Sequence, residues 1–273
     1  MGLFSRDFSK AGPGVPKDEP RKKGIARFFE IIVREYRDLM KVNMLFFLSL
    51  LPTIVLFSMG LLGIFEFALV LSILFAYPIG GAASAGFFCI TRMLRDDPGF
   101  LWDDFKRKFL ENLRQAGLAG VIVVTFLYSQ VFLFWLPIMA DWAVVGWTWI
   151  IAGVILFLLF TMVAPYVFLH YAYIRLGTFK IVKNSTLLAL SNPVRSFLGA
   201  VMGLLPWIVL LAFLPVSLLF FPLIPFFGFV LSWLMTLMWV WPVFDQHFSI
   251  EETLIKKQEE SIDNNKDDGE SPG

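Results

Sequence analysis

The sequence predicts an all-α protein, a polytopic membrane bundle of about six transmembrane helices with both termini in the cytoplasm. Three observations lead to this prediction: the composition, the spacing of apolar blocks and the positions of the basic residues. Hydrophobic residues form 58% of the 273 residues and charged residues only 16%. The mean hydropathy is +0.72. These values lie outside the usual range of soluble domains, so lipid is the expected solvent.

Apolar blocks separated by short polar segments predict the individual spans, because a transmembrane helix needs about 20 apolar residues. We place the spans at about residues 43–63, 67–90, 116–138, 146–174, 196–220 and 223–244. The last two come from one apolar block, which we divide at residues 221–225 because two prolines there favour a turn. In the second span, Pro78 and the small residues after it predict a kinked helix that packs closely against a neighbour.

Polar segments flank this predicted bundle, which covers residues 43–245. Residues 1–42 predict a cytoplasmic N-terminal segment whose first 20 or so residues are disordered. Residues 246–273 predict a cytoplasmic tail, mostly disordered because it is charged and poor in apolar side chains.

Lysine and arginine positions predict the orientation, because basic residues near spans are retained on the cytoplasmic side. Ten precede the first span, six lie in residues 92–114, four in 175–195 and three in the tail, which accounts for all 23. The three opposite turns contain none. Trp135, Trp142, Trp147 and Trp149 crowd one of these turns, which is typical of an outer membrane interface.

The polar segment between spans 2 and 3 predicts an amphipathic cytoplasmic helix from Asp103 to Arg114. Leu101, Phe105, Phe109 and Leu113 recur every four residues, with charged residues elsewhere around the helix. Two interpretations stay open: a helix that docks a partner, and a helix that only lies at the lipid headgroup boundary with its aromatic side in the interface. A second short amphipathic segment is predicted between Phe179 and Leu190.

The residues predict no enzymatic chemistry, because the spans lack a convergent set of catalytic groups. His170 and His247 are too isolated in sequence to suggest a metal pair, Cys89 is the single cysteine, and no phosphate-binding loop is present. No cofactor, metal or nucleic-acid partner is therefore expected. Within the spans, Asn43 and Gln130, with Asn184 beyond them, are candidates for interhelical hydrogen bonds.

Several residues together resemble one family. They are Asn43 and Pro52-Thr53, then Gly80, Gly81 and Ala82, then Thr91-Arg92, and above all Asp104, Phe105, Phe109, Asn112 and Gln115. This pattern resembles the YesL family of bacterial membrane proteins, and Asn184 to Pro193 resembles its second inner segment. The resemblance covers most of residues 25–245, although its specific part lies between Gly80 and Gln115. It implies a bacterial plasma membrane protein associated with carbohydrate uptake, as an accessory to sugar ABC transporters.

Two functional hypotheses follow. The first is a non-enzymatic accessory protein that supports or regulates carbohydrate transport through its cytoplasmic helices, with the lipid bilayer and sugar ABC transporter subunits as partners. The alternative is a small-solute transporter or channel in its own right, with a polar path lined by the small residues Gly80 to Gly86. A membrane-embedded enzyme is a third and weaker hypothesis, because no catalytic constellation is present.

Overall fold

The computed structural model describes residues 22, 24–139, 142–174, 176–213, 219 and 222–256, with side chains excepted at 134–139 and 142–146. All regular structure in these ranges is helical. Residues 1–20, residues 257–273, Asp141 and the side chains of Trp135 and Trp142 lie outside the described part. The first residues of the predicted tail, 246–256, are described and largely helical. Trp147 and Trp149 are exposed.

Eight α-helices and one π-helical turn form the described bundle. They are α1 Gly24–Leu61, α2 Ala68–Leu74, α3 Tyr77–Arg95, α4 Leu101–Met139, α5 Trp142–Tyr173, α6 Thr178–Ser191, α7 Pro193–Ala212, the π-helical turn Ile224–Gly228 and α8 Phe229–Phe248. A short helix over residues 250–256 follows α8. Six segments of the described chain are long and apolar enough to cross a membrane. α2 and α3 together form one of these segments. The prediction of a membrane helix bundle with about six spans is confirmed at this level.

The first helix begins earlier than the predicted span. α1 has 38 residues and starts at Gly24, so the polar segment before residue 43 is largely helical. Non-helical dihedral angles at Glu35 (φ −109°, ψ 16°) divide it into two sections. The first section is helical because Ile31 is fully buried against the bundle, and tertiary packing stabilises an amphipathic helix more than intrinsic propensity does.

The amphipathic segment before the third span is not a separate helix. It forms the first turns of α4, which runs without a break from Leu101 to Met139. Its apolar side faces protein rather than headgroups, since Leu101 and Phe105 are only 5% and 6% exposed. At these positions the four-residue spacing of apolar side chains matches the surface of α3, an environment that neither of the two open interpretations included.

α3 is the central helix of the bundle. Every residue from Ile79 to Arg95 is buried except Phe88 and Leu94, which are partly exposed. The chain breaks between α2 and α3 at Phe75 and Ala76, just before Pro78, which occupies the first turn of α3. The predicted kink in the second span is thus present, and proline is tolerated there because a first-turn N–H has no helical partner.

Small residues let α3 and α4 approach at backbone distance. A side chain added at Gly80 would overlap the carbonyl of Ala116, and one added at Gly120 would overlap the backbone of Gly80 and Ala76. Gly81 lies against Leu113. This contact sets the axial register of the two helices. Gly80 of α3 lies against Ala116 of α4, which is about 15 residues after Leu101, the first residue of α4.

We expect Gly80→Ala to destabilise the bundle by about 1–3 kcal/mol or more, because the added methyl group meets backbone, which cannot rotate away. The measurement is the thermal unfolding midpoint of the detergent-solubilised protein. Gly177→Ala is the matched control, since a side chain added at Gly177 meets nothing within 4 Å. Equal midpoints for the two variants would contradict the close α3–α4 contact.

Candidate functional site

Charged side chains gather at one end of the bundle. The first section of α1, the last turn of α3, the first turns of α4 and the last turns of α5 and α8 meet there. We call this region the charged end and define its ion-paired part by seven residues: Arg27, Arg34, Arg92, Arg95, Asp96, Asp97 and Asp104.

Asp96 joins α1 to α3. It accepts hydrogen bonds from Arg27 at 2.6 Å and forms an ion pair with Arg34 at 2.6 Å. The same two guanidinium groups donate to the carbonyls of Leu94 at 2.9 Å and Met93 at 3.1 Å, which lie in the last turn of α3. They therefore satisfy carbonyls that a helix C-terminus leaves without intrahelical partners.

The backbone of Asp96 also ends α3. It adopts a left-handed conformation (φ 62°), and its N–H bonds to the Met93 carbonyl at 3.3 Å. Aspartate tolerates this conformation better than most residues. Burial by itself raises the pKa of Asp96, but the adjacent Arg27 and Arg34 outweigh this effect and hold the pKa below its ordinary value.

Arg95 joins α3 to α5 and α8. Its guanidinium donates to Asp97 at 2.8 Å and to the Tyr173 hydroxyl at 2.7 Å, and it lies 5.2 Å from the ring centroid of Trp241. The Tyr173 hydroxyl also shares a 2.6 Å hydrogen bond with Thr91. This arrangement satisfies a buried cation with an anion, a hydroxyl and an aromatic face, which is how a buried arginine is tolerated.

Arg92 joins α3 to α4. It is buried, forms an ion pair with Asp104 and donates to the carbonyl of Gly99 at 3.3 Å. Asp104 also accepts a hydrogen bond from the more exposed Arg107 at 2.6 Å. The two motif residues Arg92 and Asp104, 12 positions apart in sequence, are thus direct partners across the 96–100 link.

Other motif residues form a seam between α3 and α4. Asn112 donates to the hydroxyl of Ser84 at 3.1 Å. Phe105 and Phe109 stack with their ring centroids 6.4 Å apart, and Phe109 lies against Gly81. Gly80 and Arg92 also belong to this interface. Most residues of the sequence motif therefore make packing contacts between α3 and α4, along the whole length of the interface.

Asn43 lies apart from this seam and has a different role. Its amide group donates to the carbonyls of Ile224 at 2.9 Å and Pro225 at 2.7 Å, and its oxygen accepts from the N–H groups of Phe229 and Val230 at 2.9 and 2.8 Å. All the hydrogen-bonding groups of this fully buried side chain are therefore used. The predicted interhelical bond is present, and it ties α1 to the π-helical turn before α8.

Two motif residues join neither region. Pro52 is an exposed residue inside α1, and Gln115 is exposed on α4. The buried oxygen of Gln130 has no hydrogen-bond partner in the described structure. His170 is fully buried and bonds through Nδ1 to the Tyr166 carbonyl at 2.8 Å and the Ser185 hydroxyl at 3.0 Å.

The described residues of the charged end form no metal-binding cluster. In the described ranges, no cluster of three or more histidine, cysteine, aspartate or glutamate residues could hold a metal ion. Cys89 is buried in α3, without a disulfide. What the charged end offers chemically is ion pairing and an exposed polar surface.

A groove of about 560 Å³ lies between α1 and the start of α4. Its walls include Asp38, Lys41 and Asp103, together with Phe100 and Trp102, which are 81% and 60% exposed. Next to it lie exposed residues of α4. We call this surface the charged face and define it by Asp38, Lys41, Phe100, Trp102, Asp103, Lys106, Arg107 and Glu111.

Sequence reasoning missed the residues that connect α1, α5 and α8 to the charged end. Arg27, Arg34, Tyr173 and Trp241 carry no motif, and their partners are more than 50 positions away in sequence. The sequence did contain one signal for this contact. Basic residues are concentrated before the first span, and the acidic pair Asp96 and Asp97 follows the second span. Charge matching between the two segments could have suggested the contact, but not the individual pairs.

The fold and this site define a polytopic helical membrane protein with an ion-paired helical end. No model of a known family matches the chain, and no curated protein or solved structure matches it. The likeness to the YesL family therefore rests on the quoted sequence pattern alone.

We expect Asn43→Leu to destabilise the protein by about 2–4 kcal/mol, because four backbone groups lose their partner where water cannot replace it. Unfolding in mixed detergent, followed by circular dichroism, measures the change. Gln115→Leu makes the same chemical change at an exposed position, and it should leave stability within about 0.5 kcal/mol of the wild type. A small effect at Asn43 would show that the π-helical turn does not depend on it.

Acidification should weaken the α1–α3 junction through Asp96. Because its pKa in the folded protein lies below the ordinary value, its pairing stabilises the fold above that value and is lost as pH falls through the lowered pKa. Asp96→Asn keeps a side chain that tolerates the left-handed backbone but has no charge to lose. Between about pH 6 and pH 3, the thermal midpoint of the wild type should fall more steeply than that of Asp96→Asn.

The matched control for this pH series is Asp38→Asn, which removes a carboxylate whose ion pair with Lys41 is partly exposed. This variant should keep the wild-type pH dependence. Parallel curves for the wild type and Asp96→Asn would show that Asp96 does not carry the acid sensitivity.

Proposed function

We propose that this protein is a non-enzymatic accessory protein of the bacterial plasma membrane, which supports or regulates carbohydrate uptake by an ABC-type transporter. We further propose that it belongs to the YesL family and that both termini and the charged end lie in the cytoplasm. The distribution of lysine and arginine supports the orientation. The sequence pattern supports the family and its carbohydrate context.

One observation carries the docking part of the proposal: the apolar side of residues 101–114 is already occupied. A helix that merely lies at the headgroup boundary needs its apolar side free for lipid. Here Leu101 and Phe105 are buried, while Lys106 and Arg107 are exposed. The half of the segment that is left for another molecule combines these charges with the exposed Trp102 and Leu110, and this mixture favours the docking interpretation over the plain interfacial one.

The charged face has further features of a protein-binding surface. Phe100 and Trp102 project from the link before α4 beside the groove of about 560 Å³. Exposed aromatic anchors surrounded by charged residues are typical of the residues that dominate binding energy at interfaces. The Arg92–Asp104 pair and the α3–α4 contact hold the base of this surface, so a partner would meet a preorganised platform.

The alternative of a solute path along Gly80 to Gly86 has less support. A side chain added at Gly80 would overlap α4, and one added at Gly86 would lie 2.6 Å from Trp233. These small residues therefore accommodate neighbouring helices at close range, and the space beside them is filled. This packing favours a structural role for the small-residue segment.

The test is recovery of transporter subunits from detergent-solubilised native membranes by the tagged full-length protein. The double variant Lys106→Glu/Arg107→Glu should reduce recovery at least about fivefold, because it reverses exposed charges on the charged face. Lys108 is unsuited to this test, since it contacts Glu111 at 3.4 Å and the ring of Phe88 at 4.9 Å and is more enclosed.

Lys180→Glu/Lys183→Glu is the matched control, because it reverses two exposed basic residues on α6. This control should recover the subunits at wild-type levels. Failure of the wild type to recover transporter subunits in repeated trials would overturn the accessory role. Solute flux into proteoliposomes that contain only this protein would support the transporter alternative instead.

A further inference from the structure

Two adjoining cavities at the charged end differ in chemistry. A polar one of about 410 Å³ is lined in part by Lys22, Arg27, Trp241, Asp245, Gln246 and Glu251. An apolar one of about 470 Å³ is lined in part by Ile25, Phe28, Phe29, Met202, Met235 and Trp239. Gly24 and Met238 line both cavities, so the two share a boundary.

From this adjacency we propose that the two cavities bind one phospholipid with an ethanolamine headgroup, its headgroup in the polar cavity and an acyl chain in the apolar one. This site is distinct from the charged face, which lies beside the start of α4, and it does not depend on the proposed transporter partner.

The direction of the pair matches a lipid in a membrane. Along α8, the polar lining reaches Asp245 in the last turn, and the apolar lining reaches Met235, ten residues or about 15 Å nearer the N-terminus of the helix. A headgroup at Asp245 would therefore lie at the C-terminal end of the span, and a chain beside Met235 would lie deeper within it. This is the orientation that a bilayer lipid requires.

The polar cavity carries charges of both signs that suit a zwitterionic headgroup. Lys22 makes no hydrogen bond or ion pair with the residues that the structure describes, so its ammonium group can bind a phosphate. Arg27, in contrast, is engaged by Asp96 and Glu30. On the opposite side, Asp245 uses one carboxylate oxygen to accept the Glu251 N–H at 2.8 Å, which leaves the other for a primary ammonium group.

The wall on the acidic side is preorganised. The indole N–H of Trp241 donates to Glu251 at 3.2 Å, and the Asp245 contact fixes the start of the short helix over residues 250–256. A primary ammonium can donate a hydrogen bond to the open oxygen of Asp245, whereas a choline ammonium can donate none. This difference assigns ethanolamine rather than choline, and the Asp245 carboxylate disfavours a purely anionic glycerol headgroup.

The apolar cavity is a groove that opens outward. Ile25 and Phe29 are 76% and 59% exposed along its rim, on the first section of α1. Three methionines line its floor, at positions 202, 235 and 238. Methionine side chains adapt to irregular shapes, which suits a flexible chain that enters from the surrounding lipid.

The test uses the full-length protein in detergent, stripped of native lipid and incubated with equal concentrations of phosphatidylethanolamine, phosphatidylcholine and phosphatidylglycerol. Native mass spectrometry counts the retained lipids. We expect one phosphatidylethanolamine to be retained about tenfold more tightly than either competitor. Equal retention of the three lipids, or a preference for phosphatidylglycerol, would overturn the assignment.

Two variants locate the site. Met238→Trp fills the junction of the cavities and should reduce retention about tenfold or more, whereas Met59→Trp, in the part of α1 far from the charged end, should not. Asp245→Asn keeps an oxygen that can accept the Glu251 N–H but removes the charge, so it should reduce the preference for ethanolamine to less than about twofold. Asp38→Asn is its matched control and should keep the preference.

Wild-type retention by a folded Met238→Trp variant would show that the lipid binds elsewhere. If that variant does not fold, Asp245→Asn decides, because an unchanged headgroup preference would overturn the assignment of Asp245. Water-soluble glycerophosphoethanolamine has no acyl chain and should not displace the lipid. Displacement by it would show that the site takes a free headgroup instead.

Discussion

The backbone contact between α3 and α4 is the constraint on which the rest of the bundle depends. Because Gly80 and Gly120 have no side chains, the two helices approach until their main chains touch, and their axial register has little freedom. That register places Asp104 opposite Arg92 and Asn112 opposite Ser84. The motif residues between Gly80 and Asn112 are thus mostly parts of one helix interface.

The same register explains how a charged segment can belong to a membrane bundle. Residues 101–114 run beside the second half of α3, which is enclosed on its other sides by α1, α5 and α8. Their apolar positions cover α3 and their charged positions face outward. The bundle therefore ends in a helical region with its own charged surface, and buried arginines there find carboxylates, carbonyls and hydroxyls as partners.

Asn43 and Asp96 show two levels of predictability. For Asn43, a polar residue in an apolar span indicated a hydrogen bond to another helix, and the bond exists. Its partner could not be predicted, because the π-helical turn at Ile224–Gly228 arises from packing that local sequence does not encode. For Asp96, the sequence did not indicate its partners, because the two arginines of α1 that pair with it are 62 or more positions away.

Sequence by itself determined the membrane class, the helical secondary structure and the apolar spans, because lipid imposes a length and a composition that can be counted along the chain. It also determined which side of residues 101–114 is apolar. Only the tertiary structure decided what covers that side, where α1 and α4 begin, and which ends of the helices meet in ion pairs. These features depend on contacts between residues far apart in sequence, and neither periodicity nor composition records such contacts.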